Sequence, residues 1–285
     1  MKSNFMKERL LNFLTLLLAL LAIGCSSSQT PVELAEIEAL KSPSSTTKIN
    51  SIRLENLKQT ARGIAAQASL SWRSRQLNLM LNSQKRNLDR IFNFNYLILN
   101  QNVLPPILAE GKNILNLADD FTIRVADQKY QIVQPPRFIT TPPNWRNYIW
   151  MGYIKPEIPN STLLPQNATE RKVWNDYIRI GWNDGIIQAD QIFSTNLARL
   201  QRDYEGMILY RKLLAQHMVS PPYVSEAELG VTGDGNDIHI NDRVLRITSI
   251  SQLQTDPASW RPIIPTKESK NQSPLLTKIN KKEKI

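Results

Sequence analysis

The chain has 285 residues, of which 41% are hydrophobic, enough to bury a core in one large or two modest domains. Its 35 Lys and Arg outnumber its 25 Asp and Glu, which gives a formal net charge of +10. One cysteine and two histidines exclude an intramolecular disulfide, a Cys/His zinc site and an iron–sulfur cluster. Neither G-x-G-x-x-G nor G-x-x-x-x-G-K-[ST] occurs, so nucleotide-phosphate binding by a glycine-rich loop has no support.

Residues 1–24 are predicted to be a signal peptide. Residues 10–23 form a fourteen-residue apolar run after a basic start that contains Lys2, Lys7 and Arg9. A membrane-spanning helix needs about 20 apolar residues to cross ~30 Å of hydrocarbon. The shorter run instead fits the apolar core of a secretory signal, which has a charged start and a small-residue end.

The single cysteine lies where cleavage is expected. Ala22-Ile23-Gly24-Cys25 resembles the bacterial lipobox, although that box prefers Leu where Ala22 stands. We therefore predict cleavage between Gly24 and Cys25 and lipidation of Cys25, whose acyl chains would hold the protein to one leaflet. Ser26 is not the Asp that tends to retain lipoproteins at the inner membrane, which favours the outer membrane, with the protein facing the periplasm. The alternative is a short uncleaved anchor with an incidental cysteine.

Two flanking segments are predicted to be flexible. Residues 25–50 are rich in Ser and Thr and are interpreted as a lipidated tether, in which Glu33, Glu36 and Glu38 lie in a transient helix. Residues 266–285 form a Lys-rich tail with six lysines and two glutamates. Such a run is usually solvated and disordered, the alternative being contact with an acidic partner or lipid. It does not form the concentrated basic face that nucleic-acid binding requires, so none is expected.

The body between these segments, residues 51–265, is predicted to be one helix-rich periplasmic domain. Apolar residues recur at spacings of three and four from Ser51 to Ser83, which predicts a helix with a narrow, Ala-rich packing face. Residues 91–106 are predicted to be a buried bend, and Ile107–Leu117 a short second helix. The apolar face of the first helix contains Leu57, Ala61, Ile64, Ala65, Ala68, Trp72 and Leu79.

Two segments with alternating apolar and polar residues are predicted to be β-hairpins. One is residues 121–134, with Asp127 and Gln128 at its turn. The other is residues 229–248, with the Gly-Asp-Gly-Asn sequence at 233–236 as its turn.

The longest helical pattern lies between the hairpins, from about 168 to 217. Asn167 or Thr169 is the expected N-cap, with Glu170 in the first turn. About 49 residues would span roughly 70 Å at 1.5 Å each, more than the diameter of about 45 Å of a compact body of this size. We therefore expect a break near residues 194–196. The predicted fold class is α+β and predominantly helical, with long broken helices packed with a small antiparallel sheet from two hairpins.

Polar clusters in the body have structural interpretations. Gly181 and Gly185 lie on one helical face, where another backbone can approach closely. Asp184 and Asp190 are six residues apart, do not share a face, and are expected to be solvated or ion-paired. The acidic residues of 234–242 lack the ligand spacing and closing Glu of a calcium-binding loop, so a polar hairpin turn is expected. Neither G-x-S-x-G nor H-E-x-x-H occurs, and no catalytic, cofactor-binding or metal residue is predicted.

Several stretches of the body resemble the DotC/TraI family of type IVB secretion and conjugation lipoproteins. The resemblance covers roughly residues 60–250, most of the chain after the predicted signal peptide. The matching stretches are IFNFNYLILNQNVLPP (91–106), NLADDFTIRVADQKYQIV (116–133), FITTPPNWRNYIWM (138–151), residues 181–222 and LGVTGDGNDIHINDRVLRIT (229–248).

This resemblance implies a structural role without catalytic residues, so the chain is expected not to be an enzyme. Family members sit at the outer membrane of the Dot/Icm apparatus, where with the lipoprotein DotD they bring DotH to that membrane and build a periplasmic core ring. A DotD-like lipoprotein and a DotH-like component are therefore the expected partners in a multi-subunit ring assembly. The alternatives are an anchored periplasmic hydrolase and a peptidoglycan-binding lipoprotein.

Overall fold

The computed structural model describes residues 31–41 and 51–261. The predicted signal peptide, Gly24 and Cys25, and the Lys-rich tail at 266–285 lie outside the described residues. The chain divides into two compact units, one up to Ile208 and one from Leu209. The segment predicted to be a single domain therefore contains parts of both units.

Five α-helices occur in the described residues. They are α1 (Val32–Glu38), α2 (Ser51–Ser83), α3 (Lys85–Ile91), α4 (Arg146–Ile149) and α5 (Ala168–Ala215). The helix predicted over Ser51–Ser83 is confirmed with those bounds. Among the described parts of the chain, no helix combines the length and the apolar character needed to cross a membrane.

The longest helix, α5, is unbroken over its 48 residues, so the predicted break at residues 194–196 was wrong. Its Ser, Thr and Asn residues there each cost only about 0.5 kcal/mol in a helix relative to Ala. Phe193 and Leu197 on either side are buried, and such burial is worth about 1.5–3 kcal/mol for each side chain. The expectation also assumed one spherical body, whereas the boundary between the two units falls inside this helix.

The start of α5 is tied to the start of α2. The side-chain oxygen of Asn167 accepts a hydrogen bond from the Glu170 backbone N–H at 2.8 Å, which identifies Asn167 as the N-cap. The Glu170 carboxylate in turn accepts from the N–H of Gln166, the residue before the N-cap, at 2.8 Å, a variant of the capping box. The same carboxylate is almost fully buried and binds Arg53 through two hydrogen bonds of 2.9 and 3.1 Å. The hydrogen bond from Arg53 lowers the pKa of Glu170.

Helices α2 and α5 pack closely where the sequence places glycines. A methyl group added at Gly181 would lie 2.8 Å from the Cα atom of Arg62 and closer still to its carbonyl oxygen. One added at Gly185 would lie 2.9 Å from the carbonyl carbon of Ala66. The predicted close approach of a second backbone to this glycine face is therefore confirmed.

The core of the first unit consists of two apolar clusters along the packed helices. One joins the alanine face of α2 to Trp174, Ile178 and Trp182 of α5. The other joins the end of α2 to α3, α4 and the middle of α5 around Trp145, Phe193 and Tyr204. Phe92, Phe94 and Leu97 are buried in this second cluster, in agreement with the buried bend predicted there.

In the described part of the chain, the strands form three separate two-stranded antiparallel sheets. A short pair joins β1 (Val103–Leu104) to β4 (Arg137–Phe138). The hairpins are β2 (Ile107–Asp119) with β3 (Thr122–Gln134), and β5 (Tyr223–Gly233) with β6 (Ile238–Ser249). The α+β, helix-dominated class is confirmed, but the two hairpins do not share the single small sheet that we expected.

The first hairpin differs from the sequence prediction. Ile107–Leu117, predicted to be a helix, lies in β2, and the turn is at Asp120 and Phe121 rather than at Asp127 and Gln128. Apolar residues in β2 have a spacing that also fits a helix, and periodicity alone does not separate the two for a short segment. Gly111 and the two asparagines in this stretch, Asn113 and Asn116, are poor helix formers, and pairing with β3 decides the outcome.

Candidate interaction surfaces

Helix α1, which we expected to be transient within a flexible tether, is packed on the first unit. Ile37 is buried in the cluster around Trp174, and the indole N–H of Trp174 donates to the Ile37 carbonyl oxygen at 3.2 Å. Each glutamate of the helix has a basic partner: Glu33 with Arg75 at 2.5 Å, Glu36 with Lys155 at 2.5 Å and Glu38 with Arg179 at 3.4 Å. Exposed pairs of this kind contribute up to about 1 kcal/mol each, so the buried Ile37 and its hydrogen bond are the main attachment.

The end of the β2–β3 hairpin exposes an apolar face. Leu115 pairs with Val125, and Leu117 pairs with Ile123, so all four side chains point to one side of the ribbon. Their exposed fractions lie between 59% and 69%, and that of Phe121 in the turn is 99%. The opposite side at the same level is polar, with Asn116 paired with Arg124. We call Leu115, Leu117, Phe121, Ile123 and Val125 the hairpin tip.

The β5–β6 hairpin also exposes apolar residues near its end. Val231 pairs with Ile240 and Gly233 with Ile238, and the three side chains are at least two-thirds exposed. The predicted turn is confirmed, since the Asp234 carboxylate accepts the N–H groups of Asn236 and Asp237 at 2.8 and 3.1 Å. Those two hydrogen bonds lower the pKa of Asp234.

Both hairpins have bare edges. Within the described residues, neither pairs with a third strand. An isolated two-stranded hairpin is marginally stable in water, and its free N–H and C=O groups can pair with another chain. An apolar face together with bare edges is the arrangement expected of a protein contact surface.

The charged residues considered as possible catalytic groups have structural partners. Asp184 binds Arg62 at 2.7 Å, and Asp190 binds Arg73 at 2.8 Å, so both carboxylates are ion-paired as predicted. No cluster of three or more His, Cys, Asp or Glu residues suited to a metal ion occurs in residues 31–41 and 51–261. The ion pairs of Asp184 and Asp190 contribute to the packing of α2 on α5.

The sequence interpretation missed the exposed apolar surface of the hairpin tip. Cys25, the one predicted site of modification, lies outside the described residues, and the hairpin tip was not recognised. A signal for it is present, because apolar and polar residues alternate as Leu-Asn-Leu before the turn and Ile-Arg-Val after it. The Asp-Asp-Phe sequence between them is the turn, in which Asp119 accepts the Phe121 N–H at 2.8 Å.

Comparison with known families identifies the relationship. The model of the TraI family, described as type IV secretory system, conjugal DNA-protein transfer, matches residues 51–262, about three quarters of the chain. No individual curated protein matches the chain. The match covers both hairpins and helices α2 to α5, and components of such systems work in multi-subunit secretion complexes. The chain therefore belongs to the DotC/TraI-type family of type IV secretion system components.

Proposed function

We propose that this protein is an outer-membrane lipoprotein and a structural subunit of the core complex of a type IVB (Dot/Icm) secretion system. In this role it recruits a DotH-like component to the outer membrane together with a DotD-like lipoprotein. The observation that carries the proposal is the family match over residues 51–262, preceded by a lipobox-like sequence at Cys25.

The proposed anchor acts through the acyl chains on Cys25. Each buried CH₂ group contributes about 0.8 kcal/mol, and a single myristoyl chain gives only marginal membrane binding. Two or three chains give stable residence in one leaflet, so the anchor holds the protein at the membrane while its folded surfaces bind partners. The role is structural, which is consistent with the arginine partners of Asp184 and Asp190.

The hairpin tip is the proposed contact with neighbouring subunits. Burying a large apolar side chain contributes about 1.5–3 kcal/mol, so covering these five residues offsets part of the entropy lost on assembly. A neighbour can also add a strand to a bare edge of the hairpin, in which case backbone hydrogen bonds supply affinity and alternate side chains supply specificity.

The anchor is tested by changing Cys25→Ser and fractionating membranes. We expect uncleaved or mislocalised precursor and loss of secretion. A Ser26→Ala variant is the matched control and should be processed normally. A Cys25→Ser variant that still fractionates with the outer membrane and supports secretion contradicts the anchoring role.

The partner contacts are tested by affinity purification from detergent-solubilised outer membrane, followed by mass spectrometry. We expect DotD-like and DotH-like proteins to co-purify with the wild-type chain. Changing Leu117 and Ile123 together to Ser should reduce the recovered partners at least tenfold, because it removes an apolar cross-strand pair without touching the core. The matched control changes Asn116 and Arg124 to Ser at the same level of the polar side, and should retain the partners. Equal recovery from both variants contradicts the assignment of the tip.

A further inference from the structure

A second exposed apolar site lies in the non-helical segment that follows α4. Ile154 and Ile158 of this segment are 88% and 72% exposed. They flank Lys155, Pro156 and Glu157, so two large apolar side chains stand in water four residues apart. Isolated exposed apolar residues are ordinary, whereas neighbouring ones on one short segment form an apolar surface that a partner can cover.

The segment is held to the body of the first unit at several points. The Asn78 side-chain amide donates to the Met151 carbonyl oxygen at 2.7 Å and accepts from the Met151 N–H at 3.2 Å. The Ser71 hydroxyl donates to the Tyr153 carbonyl oxygen at 3.2 Å. Pro156 also restricts the backbone dihedral φ to about −65°. The two isoleucines are therefore presented by a backbone that is already ordered, which reduces the entropy cost of binding.

The same segment lies beside the start of the described chain. Lys155 pairs with Glu36 of α1 at 2.5 Å, and Glu36 is about 6 Å along the helix axis from Val32. Five residues lie between Cys25 and Pro31, so the six steps from one Cα atom to the next span at most about 20 Å at full extension. A lipid on Cys25 therefore keeps α1, and Ile154 with it, close to the bilayer surface.

We propose that Ile154 and Ile158 insert into the lipid surface at the boundary between headgroups and acyl chains, as a second membrane contact beside the lipidated amino terminus. The inference rests on the proposed function, because the short connection limits the position only if Cys25 is acylated. Lys155 and Glu157 carry opposite charges, so the attraction is apolar and does not require anionic lipid. Val32, at the first turn of α1, is also exposed.

The experiment uses the mature lipidated protein in vesicles of zwitterionic phospholipid. Acylation blocks the thiol of Cys25, the only cysteine, so a cysteine introduced by Ile154→Cys is the one free thiol and takes an environment-sensitive fluorophore. We expect blue-shifted emission and several-fold quenching by lipids that carry a spin label near the headgroup. The matched control is Phe121→Cys in the hairpin tip, which is 99% exposed and is expected to remain in water.

A second variant tests whether the two isoleucines act together. With the fluorophore at Ile158→Cys, adding Ile154→Asp should reduce lipid quenching several-fold, because it places a charge in the apolar contact. Ile180→Asp on the exposed surface of α5 is the control and should leave the quenching unchanged.

Three results overturn the proposal, and they are distinguishable. A label at residue 154 that stays water-exposed in vesicles while mass spectrometry shows an acylated Cys25 contradicts the membrane contact alone. A blue shift that requires added partner proteins rather than vesicles assigns the segment to a protein interface. An unmodified Cys25 contradicts both this contact and the proposed lipoprotein function.

Discussion

The close packing of α2 on α5 predicts opposite effects for two Gly→Ala changes in these helices. Gly63 is exposed on α2, and a methyl group there meets no atom within 4 Å. Gly63→Ala should therefore stabilise the protein by about 0.8–1 kcal/mol through helix propensity. Gly181→Ala gains the same propensity, but its methyl group meets the backbone of Arg62, which cannot rotate away. Overpacking costs 1–3 kcal/mol or more, and separating the helices also loosens the cluster around Trp182, so we expect a net loss of about 1–3 kcal/mol.

Thermal unfolding followed by far-UV circular dichroism measures the difference. For a chain of this size, each kcal/mol corresponds to roughly 2–4 °C in Tm. Gly63→Ala should raise Tm by about 2–4 °C, and Gly181→Ala should lower it by about 2–12 °C, with Gly185→Ala changing it in the same direction. If Gly181→Ala raises Tm as much as Gly63→Ala does, the two helices do not approach as closely as described, and the reasoning is refuted.

Three further predictions concern buried polar contacts. Glu170→Gln should destabilise the protein by about 2–3 kcal/mol at neutral pH, as measured by urea unfolding, because it breaks an almost fully buried ion pair. The pKa of Glu170 is lower in the folded state than its unfolded value of about 4.3, so the stability that this carboxylate contributes is fully present above the unfolded value and is lost as the pH falls through the folded value. The Glu170→Gln variant should therefore lose less stability than the wild type over this acid range. If the two proteins depend on pH in the same way, Glu170 does not form the ion pair described. The N–H of the buried Trp145 side chain donates to Asp89 at 2.6 Å. Asp89→Ala leaves this N–H without its acceptor and should lower the free energy of unfolding by about 1–3 kcal/mol in the same assay, and Asp89→Asn should lower it less. Trp174→Phe should speed amide hydrogen exchange in α1, because it removes the hydrogen bond to that helix; unchanged exchange would show that the bond does not hold α1 in place.

Features that depend on local chemistry were predictable from the sequence. The bounds of α2, an N-cap at Asn167 or Thr169 and the turn at residues 233–236 each follow from residues that are neighbours along the chain, and the structure identifies Asn167 as the N-cap. The close approach at Gly181 was also predictable, because two glycines four residues apart mark one face of a helix. Lipidation of Cys25 also follows from a local motif and stays a prediction.

Features that depend on distant partners were not predictable. Strand β2 has apolar spacing that also fits a helix, and only its pairing with β3 determines its conformation. Helix α1 is held mainly by the contact of Ile37 with Trp174, 137 positions away, and its ion pairs span 42, 119 and 141 positions, which a single sequence does not connect. The hairpin tip was missed for a different reason: its alternating residues and its turn are local, but the turn was placed in the wrong part of the ribbon.

The bare edges of the β2–β3 hairpin affect the solubility of the newly synthesised protein. Until a neighbouring subunit covers it, this hairpin has unpaired backbone groups beside exposed apolar side chains, which favours self-association of the protein. Asp119 and Asp120 precede Phe121 in the sequence. If hairpins of two copies stack in register, these carboxylates come close together, and their repulsion opposes self-association. Neutralising this acidic pair should therefore lower the yield of soluble protein, although the folded core is unaltered.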